Sequence, residues 1–181
     1  SEVADVIITH LHYDHVGGYA QFPQARFHLQ DAEMAYATGR HMTHEPFAHA
    51  YTGQHVADMV LNVFEQRVVF HDGDRELAPG LSVHLIGGHT LGLQVVRVHT
   101  EVGWMVLASD ASHYYENMEG VRPFSIVHDV GAMIEGYGRL RELADDDRLI
   151  VPGHDPLVFD RYPAAGNGLE GVAVRLDVVP S

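Results

Sequence analysis

Short apolar runs bounded by Gly, Asp or Pro recur at residues 6–9, 26–29, 68–71, 82–86, 94–99, 104–108 and 149–151, and each reads as a strand. The first run has no cap, linker or turn ahead of it. It is therefore expected to be a buried strand, and an N-terminal portion of the domain is expected to be missing. Helical spacing occurs in three places. Val130, Met133, Ile134, Tyr137, Leu140 and Leu143 follow an N-cap at Asp129 and predict a helix over 130–143 whose stripe covers a sheet face. A second helix is predicted from after Asp31 through Ala37, stopped by Gly39. A third spans 54–64, with Val56, Met59, Val60 and Val63 along one side. Residues 41–66 read as a His-rich, partly helical insertion. The tail beyond Tyr162, with Pro163, Gly166, Asn167 and Gly168, reads as a loop followed by a short final strand. Strands and helices alternate without repeats, which predicts a layered α/β architecture and a single domain over 1–181.

Composition narrows the function classes. A chain of 181 residues, 46% hydrophobic and 20% charged, is of ordinary globular type. No apolar run approaches the roughly 20 residues of a membrane span, so no membrane role is expected. A cytoplasmic location is expected, with a signal peptide left open by the abrupt start. Eleven basic against 25 acidic residues give a formal charge of −14, which repels phosphate backbones and argues against nucleic acid as a partner. Cysteine is absent, so any metal must be held by nitrogen and oxygen, and the 15 histidines become the place to look.

The strongest signal is the run Thr9-His10-Leu11-His12-Tyr13-Asp14-His15-Val16-Gly17-Gly18, placed where the first strand ends. In extended chain, His10 and His12 project to the same side and can share an ion, and the following turn can swing Asp14 and His15 toward a second. Three more candidates sit in strand-end loops: His89 in Gly87-Gly88-His89-Thr90, Asp110 after the strand at 104–108, and His154 in Pro152-Gly153-His154-Asp155. Any one of these alone is more often a surface or hydrogen-bonded side chain. His41, His44, His49 and His55 read as surface residues, and His28, His71, His84, His99 and His128 as hydrogen-bonded scaffold. Asp72 and Asp74 read as turn residues.

This order of residues resembles the metallo-β-lactamase superfamily, whose HxHxDH motif is followed by a later His, a bridging Asp and a final His. The resemblance covers nearly the whole chain and implies an αββα sandwich, of which this sequence supplies mainly the second half, leaving an exposed sheet edge. It implies two zinc ions per chain: His10, His12 and His89 on one, Asp14, His15 and His154 on the other, and Asp110 on both. The stretch Ser109-Asp110-Ala111-Ser112-His113-Tyr114-Tyr115-Glu116-Asn117 is similar to the N-acyl-homoserine lactonase branch. That implies opening of a small-molecule lactone by a hydroxide held between the metals, with homodimer formation left open. Well-known members carry tyrosine three residues after the bridging aspartate. Here His113 stands there and Tyr114 follows, so either could face the substrate carbonyl, or His113 could only shape the pocket rim. Asp14 could also shuttle the proton.

Three rivals stay open. A glyoxalase II-like thioester hydrolase would need basic residues to grip an anionic conjugate, and the chain has no lysine and no arginine cluster. A flavodiiron-type module carries glutamate where His12 stands. A non-catalytic zinc-binding domain would have no need of the complete ligand set.

Overall fold

The computed structural model describes residues 2–181. The first three predicted strands, β1 (Asp5–Ile7), β2 (Arg26–Gln30) and β3 (Val68–His71), form an all-parallel sheet in that order. Phe27 pairs with Val6 on one side and Val68 on the other. Parallel neighbours cannot be joined by a tight turn, so the chain crosses over between them. The first crossover holds α1 (Tyr13–Val16), and the second holds α2 (Asp31–Ala37), α3 (Glu45–Ala48) and α4 (Gly53–Phe64). Helix α4 packs Val56 and Met59 into one apolar cluster with the fully buried Phe27 and Leu29. Burying Met59 contributes about 1.5–3 kcal/mol. Val60 and Val63 are only half-buried; Asn62 turns inward instead, its amide donating to Asp58 O at 2.8 Å.

The expected burial of the first strand does not hold. β1 is the edge of its sheet and is half-exposed, and burial starts at Ile8, just beyond it. Its outer edge carries no neighbouring strand among the described residues.

The second sheet runs in the order β4 (Arg75–Ala78), β5 (Leu81–Leu85), β6 (Gln94–Thr100), β7 (Gly103–Ser109) and β8 (Ile150–Pro152). It is antiparallel except for the β7–β8 pair. The crossover from β7 to β8 contains α5 (Tyr115–Gly120) and α6 (Val130–Leu143). Asp129 caps α6 by accepting from Ala132 N at 2.9 Å, as the sequence predicts. Met133, Tyr137 and Leu140 pack with Val95, Val106, Ala108 and Ile150. The buried stripe leans toward Gly136 and Leu143, which leaves Val130 and Ile134 exposed on its flank.

On the opposite face, Met105 and Val151 pack with Tyr162, which ends α7 (Leu157–Arg161), and with Val174, Leu176 and Val178 of the tail. The predicted final strand is reduced to one isolated bridge, Ala164–Val174, because the glycine-rich segment offers no sustained alternation.

Gln94, fully buried at the start of β6, joins the two sheets. Its backbone N–H donates to Thr9 O (3.0 Å), and its side chain donates to Ile8 O (2.8 Å) and His28 O (3.1 Å) while accepting from Gln30 (2.9 Å). The end of β1 is thereby held beside the second sheet. No helix among the described residues is long and apolar enough to cross a membrane.

Candidate metal centre

Four loops meet at this junction. Residues 8–15 leave β1 and run on into α1, residues 87–92 join β5 to β6, residues 110–113 follow β7, and residues 153–155 follow β8. They bring all seven predicted donors together. His10, His12, His89 and Asp110 are buried, and their donor atoms lie within 4.8 Å of one another. Asp14, His15 and His154 form a second, more exposed group within the same limit.

Asp110 stands between the groups and turns a different oxygen to each. Oδ2 lies 3.3 Å from His89 Nε2 and 3.8 Å from His10 Nε2. Oδ1 lies 3.2 Å from His15 Nε2 and 3.1 Å from His154 Nε2. Asp14 Oδ2 is 3.6 Å from His15 and 3.7 Å from His154, and His12 Nδ1 is 3.0 Å from His89 Nε2. Ligand atoms about 2.0–2.1 Å from a tetrahedral ion stand about 3.4 Å apart, so these separations suit donors arranged around a metal ion.

Unpartnered atoms point the same way. His10 Nε2, His15 Nε2 and Asp110 Oδ1 are buried with no aligned hydrogen-bond partner. Buried polar atoms are rarely left so, and an ion at each group would satisfy them. Residues around the donors set their orientation. His89 Nδ1 lies 2.7 Å from the carbonyl of Ile126, an acceptor only, so Nδ1 carries the proton and Nε2 faces the centre as a lone pair. Thr9 Oγ1 approaches Nδ1 of both His10 (3.2 Å) and His15 (3.3 Å), and Ser109 Oγ donates to Thr9 Oγ1 at 3.0 Å.

The electrostatics favour cation binding. Burial, reinforced by the neighbouring imidazoles, pushes His10 well below the usual histidine range, His12 to about 3 and His89 to about 4. These rings are neutral at pH 7, the form a cation requires. Burial would raise the Asp110 carboxyl, but the hydrogen bond from His113 and the close approach of His15 and His10 hold it far below the carboxylate range. Burial works against protonation of His15, yet Asp110 and Asp14 raise it overall.

Backbone geometry aims Asp110. Ser109 takes a left-handed φ of 45°, a costly conformation for a non-glycine residue, immediately before it. Gly153 passes so close that a Cβ there would stand 2.8 Å from the Ser109 carbonyl and 2.9 Å from Asp110 Oδ1.

His12, Asp14, His89, Asp110 and His154 line a cleft of about 380 Å³, together with Tyr13, His49, Tyr114 and Ile126. Of the two candidates beside Asp110, His113 reaches inward: its Nε2 is 2.9 Å from Asp110 Oδ2, and its ring stacks on Phe124 at 3.6 Å. Tyr114 sits at the rim, 46% exposed. His49, read from sequence as a plain surface residue, is exposed but lines this cleft. His41, read the same way, is half-buried against Tyr36, Phe47 and His128. His28 and His84 are hydrogen-bonded scaffold as expected, to His71 and to Ser82.

Sequence reasoning missed Glu33, Tyr51, Thr9 and Ser109. Glu33 is fully buried and accepts from residues in both ligand loops. Its only local signal is an acid in the first turn of a short helix, where acids are ordinary.

Comparison with known proteins agrees with this geometry. Residues 1–154 match the profile of the metallo-beta-lactamase superfamily. The chain is 30% identical over 152 residues to an N-acyl homoserine lactonase of Bacillus cereus, covering 83% of this chain and 55% of that protein. It is 25% identical to a probable metallo-hydrolase of Mycobacterium tuberculosis, over 88% of this chain and 57% of that one. A solved N-acyl homoserine lactone hydrolase, with N-hexanoyl-L-homoserine bound at its catalytic metal center, superposes with a TM-score of 0.67 at 28% identity, covering 82% of this chain and 54% of the other. The chain thus spans about half the length of the relatives it matches.

Proposed function

The chain belongs to the metallo-β-lactamase superfamily, and from that premise we propose that it is a dinuclear zinc hydrolase that opens a lactone ring, of the N-acyl-homoserine type or a related one. The observation that supports this best is Asp110, whose two carboxylate oxygens each face a separate group of donors. His10, His12 and His89 would hold one ion and Asp14, His15 and His154 the other, with Asp110 on both. Nitrogen and oxygen donors without thiolate suit zinc. Bound there, such ions would lower the pKa of water from about 16 toward about 7 and polarise a carbonyl.

The remaining steps belong to the protein. The His113 imidazole acts as the donor to the lactone carbonyl and its developing oxyanion, its ring plane fixed by the stack on Phe124. Tyr13, Tyr114 and Ile126 offer apolar surface to the acyl chain along the cleft. Water oxygen adds to the carbonyl carbon, the ring C–O bond breaks, and Asp14 passes the proton from the attacking water to the departing ring oxygen. The products are a hydroxyl and a carboxylic acid, which ionises at neutral pH. Among the described residues no arginine lines the cleft, which ranks an anionic thioester below a neutral lactone as substrate.

The test is pH-stat hydrolysis of a lactone panel beside a glutathione thioester, with zinc counted per chain and Asp110→Asn as control. Base consumption on at least one lactone, about two zincs, and loss of both in the variant are expected. Turnover indifferent to chelation would overturn the proposal, and thioester turnover alone would redirect it.

A further inference from the structure

Glu33 takes no part in the chemistry above, yet no side chain among the described residues is more completely enclosed. Its four partners belong to three segments that meet around the first donor group. Oε1 accepts from Leu11 N, between His10 and His12, at 2.9 Å, and from Tyr51 OH at 2.9 Å. Oε2 accepts from Thr90 Oγ1, beside His89, at 2.6 Å, and from Gly92 N at 3.2 Å. The Tyr51 ring in turn stands edge-on to His12, with centroids 4.6 Å apart. The approach is intimate, since a Cβ on Gly92 would collide with the main chain of Glu33. No arginine or histidine pairs with the carboxylate among the described residues.

We infer that Glu33 is a positioning residue that sets the spacing of His10, His12 and His89, and so the affinity for the ion these three would hold. Two of its partners require an acceptor at each oxygen. Each oxygen accepts one main-chain N–H, Leu11 on one side and Gly92 on the other, and a backbone amide cannot reverse its role. A glutamine has only one acceptor oxygen, so either way round its NH2 faces an N–H. It can hold one ligand loop or the other, never both. The second group, Asp14, His15 and His154, shares none of these bonds.

The experiment is metal titration of Glu33→Gln against a competing chelator, the two ions being assigned by His89→Ala and His154→Ala. The ion of the His10–His12–His89 group is expected to bind about 10–100-fold more weakly, the usual cost of disturbing residues that orient ligands, with the other ion held as in the wild type. Unchanged affinity at both sites would overturn the inference. So would equal losses at both with a lowered unfolding midpoint, which would mark Glu33 as a packing residue only. Should Glu33→Gln fail to fold, Tyr51→Phe and Thr90→Val each remove one donor from a different oxygen. Each is expected to weaken the same ion alone by several-fold, and no selective loss in either would sink the idea. The inference rests on the two-ion reading: a wild-type chain that takes up fewer than two ions overturns both, whereas two ions and an indifferent Glu33→Gln overturn this one alone. Lactone turnover enters neither outcome.

Discussion

Gly153→Ala should damage the centre without touching a donor. The added Cβ would stand 2.8 Å from the carbonyl carbon and oxygen of Ser109 and 2.9 Å from Asp110 Oδ1, where ordinary contact begins at 3.4 Å. Relief therefore needs a shift of roughly half an ångström. Two of the three neighbours are backbone atoms, and Ser109 already holds a left-handed conformation, so neither gives way cheaply. Overpacking of this kind costs about 1–3 kcal/mol, and each kcal/mol is worth about 2–4 °C in a chain of this size. The displaced oxygen is the one within 3.2 Å of His15 and 3.1 Å of His154, so affinity for the second ion should fall together with stability. Gly138→Ala is the matched control. That glycine is exposed in α6, a Cβ there meets nothing within 4 Å, and alanine should gain up to about 1 kcal/mol from helix propensity. Thermal unfolding and metal content by mass spectrometry read both effects. A Gly153→Ala protein with the wild-type midpoint and full metal content would refute the packing argument.

His113→Phe should keep both ions and the stack on Phe124 while lowering kcat by about 10²–10³, the usual loss for one oxyanion donor; single-turnover kinetics on a lactone checks this, and unimpaired turnover would place His113 at the rim only. In the chelated protein, stability should fall as pH drops from 7.5 to 5. His12 and His89 stay neutral in the folded chain down to about 3 and about 4, whereas the unfolded chain takes up those protons near 6.5, so the unfolded state gains with acid. His10 adds to this, while His15 and Glu33, both raised on folding, act in the opposite direction. Urea midpoints at the two pH values settle the sign, and a higher midpoint at pH 5 would contradict it.

What could be read from the sequence was what is local or periodic. Four donors fall within the six residues from His10 to His15, and His89, Asp110 and His154 each follow an apolar run, so strand ends alone pointed to them. Helix α6 was legible through its cap and stripe, and β2 and β3 through their apolar runs. Helices of four to six residues were not: α1, α5 and α7 are too short to show a period. β4, with the sequence Arg-Glu-Leu-Ala, has no apolar alternation to reveal it. Glu33 was invisible for another reason. Its partners lie 18 to 59 residues away along the chain, and an acid in a helix's first turn looks like a solvated one until the fold closes over it.

The junction held by Gln94 divides the donors between two sheets. His10, His12, Asp14 and His15 follow β1, whereas His89, Asp110 and His154 follow strands of the larger sheet. Whatever these seven side chains grip in common therefore works as a cross-link, closing loops in a polypeptide that has no cysteine to close them covalently. Stripping it should loosen the seam before either sheet, and amide exchange at Ile8, Gln94 and their partners would be the first to quicken.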